Sequence, residues 1–304
     1  MTALSCSRLV SARPPSQGDG AISNRRPASL FRNVLTIARR ELRDAMRSRW
    51  FWLYTVAFIA LGLAVSFVSA AGTGGTGLSG FGRTTAGLIN LVLLVVPLMA
   101  LTAGAAAIAS DRERGMLAYT FAQPINRTEV LLGKFAGLSG ALLSCITLGL
   151  GMCTLILAWK GSRSSPASML WLAGLSLLLE LGMLSVGMLI STMARRASVA
   201  VGTAIFVWLT LVFVSDLALM AGAIAMRLRI EQLLVFSLAN PLQVFKMWSL
   251  HAVDASLDVL GPAGLYATEE YGRSLHAIFA ACLTAWIIVP LGLAAAKLSR
   301  SSPL

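Results

Sequence analysis

The sequence predicts an all-α, polytopic membrane protein: about six transmembrane helices preceded by an amphipathic interfacial helix. Composition is the first ground, since 57% of the 304 residues are hydrophobic and 12% charged. A soluble domain carries about 25% charged residues. The second ground is distribution: the apolar residues fall in blocks of about 20, the length needed to cross roughly 30 Å of hydrocarbon as a helix. The third is that these blocks lack the period-two alternation of a membrane barrel.

Residues 1–30 are rich in Ser, Arg, Pro and Gly and contain no apolar h-region. They are expected to form a disordered cytoplasmic tail rather than a secretory signal. Residues 31–49 change character. Phe31, Val34, Leu35, Ala38, Leu42 and Ala45 recur at helical spacing, with Arg32, Arg39, Arg40, Arg43 and Asp44 mostly on the other side. That pattern predicts an amphipathic helix on the membrane surface. Trp50, Phe51, Trp52 and Tyr54 then form an aromatic belt where the chain enters the bilayer.

The transmembrane domain is expected over 50–300, with spans near 50–70, 86–109, 135–159, 169–193, 199–226 and 275–296. A Gly-rich loop holding Gly72, Gly74, Gly75, Gly77, Gly80 and Gly82 divides the first two. Pro97 and Pro290 fall inside the second and sixth spans, where a helix is open to kinking. The longest connection is 227–274.

Lys and Arg set the orientation. With the N-terminus inside, 18 of the 25 basic residues lie on the inner side and 7 on the outer. Both termini are therefore expected in the cytoplasm, with 227–274 as an outer loop, in a bacterial-type inner membrane. The net charge of +12 is accounted for by this flanking pattern. No aromatic–basic motif points to a nucleic-acid partner. Cys6, Cys145, Cys153 and Cys282 form no C-x-x-C pair, His251 and His276 stand apart in sequence, and the methionines are scattered. No metal site is expected in the chain.

The loop between spans two and three carries most of the functional signal. It reads Asp111-Arg112-Glu113-Arg114-Gly115-Met116-Leu117, then Gln123-Pro124-Ile125-Asn126-Arg127-Thr128-Glu129, then Gly133-Lys134-Phe135. A short amphipathic helix fits 113–122, ended by Pro124, with Asn126 or Thr128 available to cap the next helix. Composition alone equally describes a charged loop that fixes topology. Within the spans, Glu180 and Asp216 are carboxylates whose ionised forms cost about 2.5–3.5 kcal/mol in hydrocarbon. They are expected to face protein or a water path. Gly133 and Gly137 form a G-x-x-x-G step suited to close helix contact.

The run Glu113, Gly115, Leu117, Pro124, Arg127, Gly133, Lys134 resembles the signature of type two ABC exporter permeases. Met116 stands where that family often has Thr. The resemblance implies that an acidic residue and a Gly open a coupling helix, and that a Pro-x-x-Arg turn and a Gly-Lys pair lead into the third span. It implies docking on a separate ATPase chain that holds ATP and Mg, with two ATPases serving a permease homodimer. Asn240, Pro241, Phe245 and Lys246 in the outer loop look like the branch associated with maturation of multicopper enzymes, including nitrous oxide reductase. For that branch a periplasmic accessory protein is a further partner.

No catalytic residue is expected. The chain has no G-x-x-x-x-G-K-[ST], because Gly133-Lys134 precedes Phe135 and position 128 is Thr. Two G-x-S-G strings, around Ser79 and Ser139, are reminiscent of intramembrane serine proteases. Ser139 lies near the inner side, His276 near the outer, and Ser79 in a loop, so nucleophile and base are expected out of reach. The rival reading is an ion-coupled secondary transporter working through Glu180 and Asp216; the internal inverted repeats usual for one are not evident.

The topology is checked by labelling Ser256→Cys and Ser301→Cys with an impermeant thiol reagent on intact cells. Ser256→Cys reacts and Ser301→Cys does not; the reverse pattern overturns the orientation.

Overall fold

The computed structural model describes residues 30–71, 78–117, 126–159, 166–214, 217, 235–252 and 274–300. Every regular element among them is helical. The amphipathic helix α1 runs Leu30–Arg47, and α2 runs Arg49–Ala71. Helix α3 spans Leu78–Glu113, α4 Arg127–Trp159 and α5 Pro166–Met193. Helix α6, Ala197–Leu209, continues as a π turn over Thr210–Val214; α7 is Pro241–Ala252 and α8 is Leu275–Arg300. Four of these are long and apolar enough to cross a membrane. The α1–α2 pair adds a fifth if taken as one broken span, and Ala197–Phe213 is a shorter apolar helix.

The break between α1 and α2 is local chemistry. Ser48 leaves the helix, its amide bonds the Ala45 carbonyl at 3.0 Å, and its hydroxyl caps the Phe51 amide at 3.1 Å. An N-capping serine restarts the chain in a new direction, 66° from the first. Trp52 donates its indole N–H to the Met46 carbonyl at 3.1 Å, so the aromatic belt also serves as a C-cap for α1.

Helix α5 is the centre of the bundle, packed against α3, α8, α4 and α7. Its closest approach is to α3 where Gly104 meets Gly187. A Cβ at Gly187 would lie 2.6 Å from the Leu101 carbonyl oxygen, and one at Gly104 would lie 2.7 Å from that of Leu184. One turn on, Ser191 Oγ lies 2.9 Å from the backbone nitrogens of Ile108 and Ala109. In a bilayer, lipid tails are as apolar as Leu, so close backbone packing replaces the hydrophobic drive. Leu88, Val92, Leu101, Leu172, Leu179, Met183, Phe245 and Phe279 fill the core around this crossing.

Several expectations are corrected. The Gly-rich loop is shorter than predicted: α3 begins at Leu78, so Ser79, Gly80 and Gly82 lie within a helix. Residues 72–77 lie outside the described residues, as do the tail at 1–29 and Asp216. The fifth span was placed over 199–226; its described part begins at Ala197 and ends in a π turn at Val214. Both proline-bearing helices continue through Pro97 and Pro290. The segment 227–274 includes α7, whose Leu242, Val244, Phe245, Met247, Trp248 and Leu250 are buried.

The crossing predicts a contrast between two glycines. Gly187→Leu forces α3 and α5 apart, with destabilisation of about 3 kcal/mol or more. Gly202→Leu is tolerated, because nothing lies within 4 Å of a Cβ there. Thermal unfolding of the purified variants, followed by fluorescence-detected size exclusion, measures the difference.

Candidate functional site: the loop end of the bundle

Of the residues singled out between spans two and three, Glu113, Gly115, Arg127 and Lys134 cluster at one end of the bundle, and each does structural work there. Lys134, 5% exposed, sits on the first turns of α4. Its ammonium lies 2.6 Å from Glu41 Oε1 on α1 and 2.8 Å from Asp111 Oδ2 on α3. A buried cation with a carboxylate on either side fixes three helices at one point. Gly133 and Gly137 bring the backbones close enough for it. A Cβ at Gly137 would fall 2.6 Å from the Ala38 carbonyl oxygen, and one at Gly133 2.7 Å from Ile37. The predicted G-x-x-x-G contact therefore exists, and its partner is α1.

Glu129 completes this seam. It is 5% exposed and accepts hydrogen bonds from Asn33 Nδ2 on α1 at 2.9 Å and from Asn126 Nδ2 at 3.0 Å. Of the two cap candidates before α4, Asn126 is the one in position: its carbonyl accepts from the Glu129 and Val130 amides. Sequence reasoning read Asp111 and Glu129 only as loop charges and passed over Glu41, because each looks like an ordinary surface charge on a helix wheel. The signal was the neighbouring G-x-x-x-G, which forces whatever lies beside it into close contact.

Three further charges terminate helices. Arg112 reaches the last turn of α5, donating to the carbonyl oxygens of Ala194 at 2.6 Å and Thr192 at 3.4 Å. Glu113 Oε2 accepts from the Ala197 amide at 3.0 Å, at the first residue of α6. Arg127 Nη1 donates to the carbonyls of Leu298 at 3.0 Å and Ser299 at 3.2 Å, at the end of α8. A cation on two C-termini and an anion on an N-terminus match the helix dipole in every case. Glu113 was expected to open the amphipathic helix at 113–122; it ends α3 instead. Gly115, at φ 71°, makes the turn between them, and helix resumes at Met116-Leu117. Only Gly tolerates that conformation without strain. Pro124 lies outside the described residues.

Beside the seam opens a cavity of about 1240 Å³ bounded by α1, α2, α3, α4 and α6. Its walls are apolar and aromatic, including Phe51, Tyr54, Met99 and Trp208, and one end is charged by Arg40, Asp44 and Arg114 together with the Lys134 triad. No single stretch of sequence signals it, since its lining is drawn from five helices.

The remaining candidates are dispersed. Glu180 is fully buried, and neither carboxylate oxygen has a hydrogen-bond partner among the described residues. It is near Cys145 and is not among the residues that line the cavity. Asn240 caps α7: its Oδ1 accepts from the Leu242 amide at 2.9 Å, with Pro241 at the first helical position. Its Nδ2 donates at 2.8 Å to the Leu211 carbonyl, which lies in the π turn. Phe245 is fully buried, and Lys246 borders a small cleft with Asn90 and Gln243. His251 and His276, far apart in sequence, have ring centroids 4.9 Å apart, and Trp248 stacks on His276. No group of three or more His, Cys, Asp or Glu that could hold a metal occurs among the described residues.

The Lys134 seam predicts a specific epistasis. Lys134→Met leaves Glu41 and Asp111 facing each other without a cation and destabilises the chain by about 2–3 kcal/mol, less than for a fully buried pair because both carboxylates are about a quarter exposed. Adding Glu41→Gln and Asp111→Asn restores most of the loss. Thermal unfolding of the single and triple variants checks it.

The sequence as a whole is similar to known proteins. Residues 35–302 match the family model described as ABC-2 family transporter protein. The "Probable ABC transporter permease protein NosY" of Stutzerimonas stutzeri is 30% identical over 273 residues, covering 88% of this chain and 98% of that relative. Its namesake from Pseudomonas aeruginosa is 32% identical over 230 residues, covering 73% and 83% respectively. Since the family model spans residues 35–302 and the first relative is covered almost end to end, the chain belongs to the ABC-2 family of transporter proteins.

Proposed function

We propose that the chain is the permease subunit of an ABC exporter, driven by a separate ATPase that binds the loop end of the bundle. The observation that carries this reading is the wiring of that end. The loop after α3 begins at Gly115, and the residues flanking it are bonded to α1, α4, α5, α6 and α8. A push on the loop is thereby distributed to five helices at once. Arg114 and Met116 are exposed beside the turn, where they also line the cavity.

The complex is two permeases with two ATPases, placed in the inner membrane with both termini in the cytoplasm. ATP and Mg reside on the ATPase. The 1240 Å³ cavity is half of a vestibule that a second copy of the chain closes. Its apolar walls and charged end suit a cargo loaded from the cytoplasmic side. The branch linked to multicopper enzyme maturation, with a periplasmic accessory protein, is the preferred sub-assignment; the NosY names of the two relatives are in keeping with it.

Exchanging Glu113 and Arg127 is a poor test of docking, because both cap helices inside the chain. Arg114→Glu with Met116→Asp is a cleaner one. In tagged complexes from the native host, a soluble Walker-type ATPase copurifies stoichiometrically with the wild-type chain. The double variant retains its melting temperature and loses at least about tenfold of the bound ATPase. Transport in sealed vesicles driven by a pH gradient without any ATPase, and abolished by Glu180→Gln, sinks the exporter reading.

A further inference from the structure

We infer that α1 is a binding surface for anionic phospholipid headgroups, with Arg32, Arg39, Arg43 and Arg47 as its contact row. The helix divides into three sectors. Val34, Ile37, Ala38 and Glu41 face α4. Arg40 and Asp44 turn toward the cavity and pair with each other at 3.8 Å. On the outer side Arg32, Arg39, Arg43 and Arg47 are all exposed. At 100° per residue the first three fall within about 40° of one another, and the row is about 22 Å long. Among the described residues no ion pair involves any of the four.

The occupant follows from what lies beside the row. Phe31 is 75% exposed, Leu35 43% and Met46 42%, forming an apolar flank along one edge of the arginines. Trp50 and Trp52, 70% and 55% exposed, continue it around the bend into α2. A soluble acidic partner would leave this flank in water, and so would a nucleic acid. A membrane surface satisfies both sectors: the flank enters the headgroup–acyl boundary while the guanidinium groups meet phosphates. Tryptophans at the bend mark the same depth. Arginine binds phosphate through a planar fork, which favours Arg over Lys for this contact. Because the Lys134 seam and the two glycines hold α1 rigidly on α4, the row is presented pre-formed, and an anionic lipid meets an ordered site.

The test uses the full-length chain in detergent, titrated with dioleoyl phosphatidylglycerol or dioleoyl phosphatidylcholine and read by native mass spectrometry. The wild-type chain binds the anionic lipid about tenfold more tightly than the zwitterionic one. Arg39→Gln with Arg43→Gln removes most of that preference and leaves phosphatidylcholine binding unchanged, while Arg39→Lys with Arg43→Lys keeps a substantial part of it. Arg195→Gln with Arg196→Gln, an exposed basic pair elsewhere, has no effect. The proposal is overturned if the Gln pair keeps the full preference, or if the Arg195/Arg196 variant loses it equally. Competition by soluble glycerol phosphate at lipid concentrations also overturns it, since that makes the apolar flank irrelevant. So does loss of a copurifying acidic protein with lipid binding intact, which assigns the row to a protein partner.

Discussion

Lys134 is buried between two carboxylates on two other helices, and the arrangement around it follows from that fact. An ammonium taken out of water costs several kcal/mol unless its partners are close and well oriented. Two partners at 2.6 and 2.8 Å require α1, α3 and α4 to meet within a side chain's length. Only small residues permit that approach, and Gly133 and Gly137 supply it. The amphipathic helix α1 is therefore part of the bundle's folded core at this end, even though its outer side is exposed. The 66° bend at Ser48 follows as well, since α1 must lie along α4 while α2 turns to pack between α3 and α4.

The same end shows how charge is used in a protein with little of it. Helices in a bilayer satisfy their backbones internally except at their termini. Arg112, Glu113 and Arg127 each go to a terminus contributed by a different helix, more than 80 residues away in sequence. Each replaces water at unsatisfied carbonyl or amide groups. The result is a plate of side chain-to-backbone bonds linking α3 and α4 to the ends of α5, α6 and α8. At the opposite half, Asn240 plays the corresponding part for the carbonyl of Leu211 in the π turn.

The all-α architecture and most helix positions were legible because apolar block length is a direct physical requirement of the bilayer. The start of α5 at Pro166 and of α8 at Leu275 lie close to the predicted spans. The end of α3 was not, because the hydropathy signal stops near residue 109 while the helix continues on capping and ionic contacts through Glu113. Motif residues were found, but their partners were not. Nothing in one dimension says that Lys134 meets Glu41, or that Arg127 reaches the last turn of α8. The proximity of His251 and His276 was hidden for the same reason: it depends on α7 folding back against α8. The cavity was invisible too, since no single helix carries its signature.

These partners change what a signature of this kind means. Glu113, Arg127 and Lys134 resemble an ATPase-coupling motif, yet their side chains are bonded within the chain. The two statements are compatible if the motif specifies the transmission and the exposed turn specifies the contact. A docking surface alone could move as a flexible loop and dissipate any displacement. A loop whose flanks are fixed to five helices cannot move without them. Interfaces that are packed and bonded tend to have discrete arrangements rather than continuous ones. On this view Gly115 is the mechanical boundary: α3 runs unbroken through the bundle to Glu113, and the left-handed backbone of Gly115 breaks the helix there.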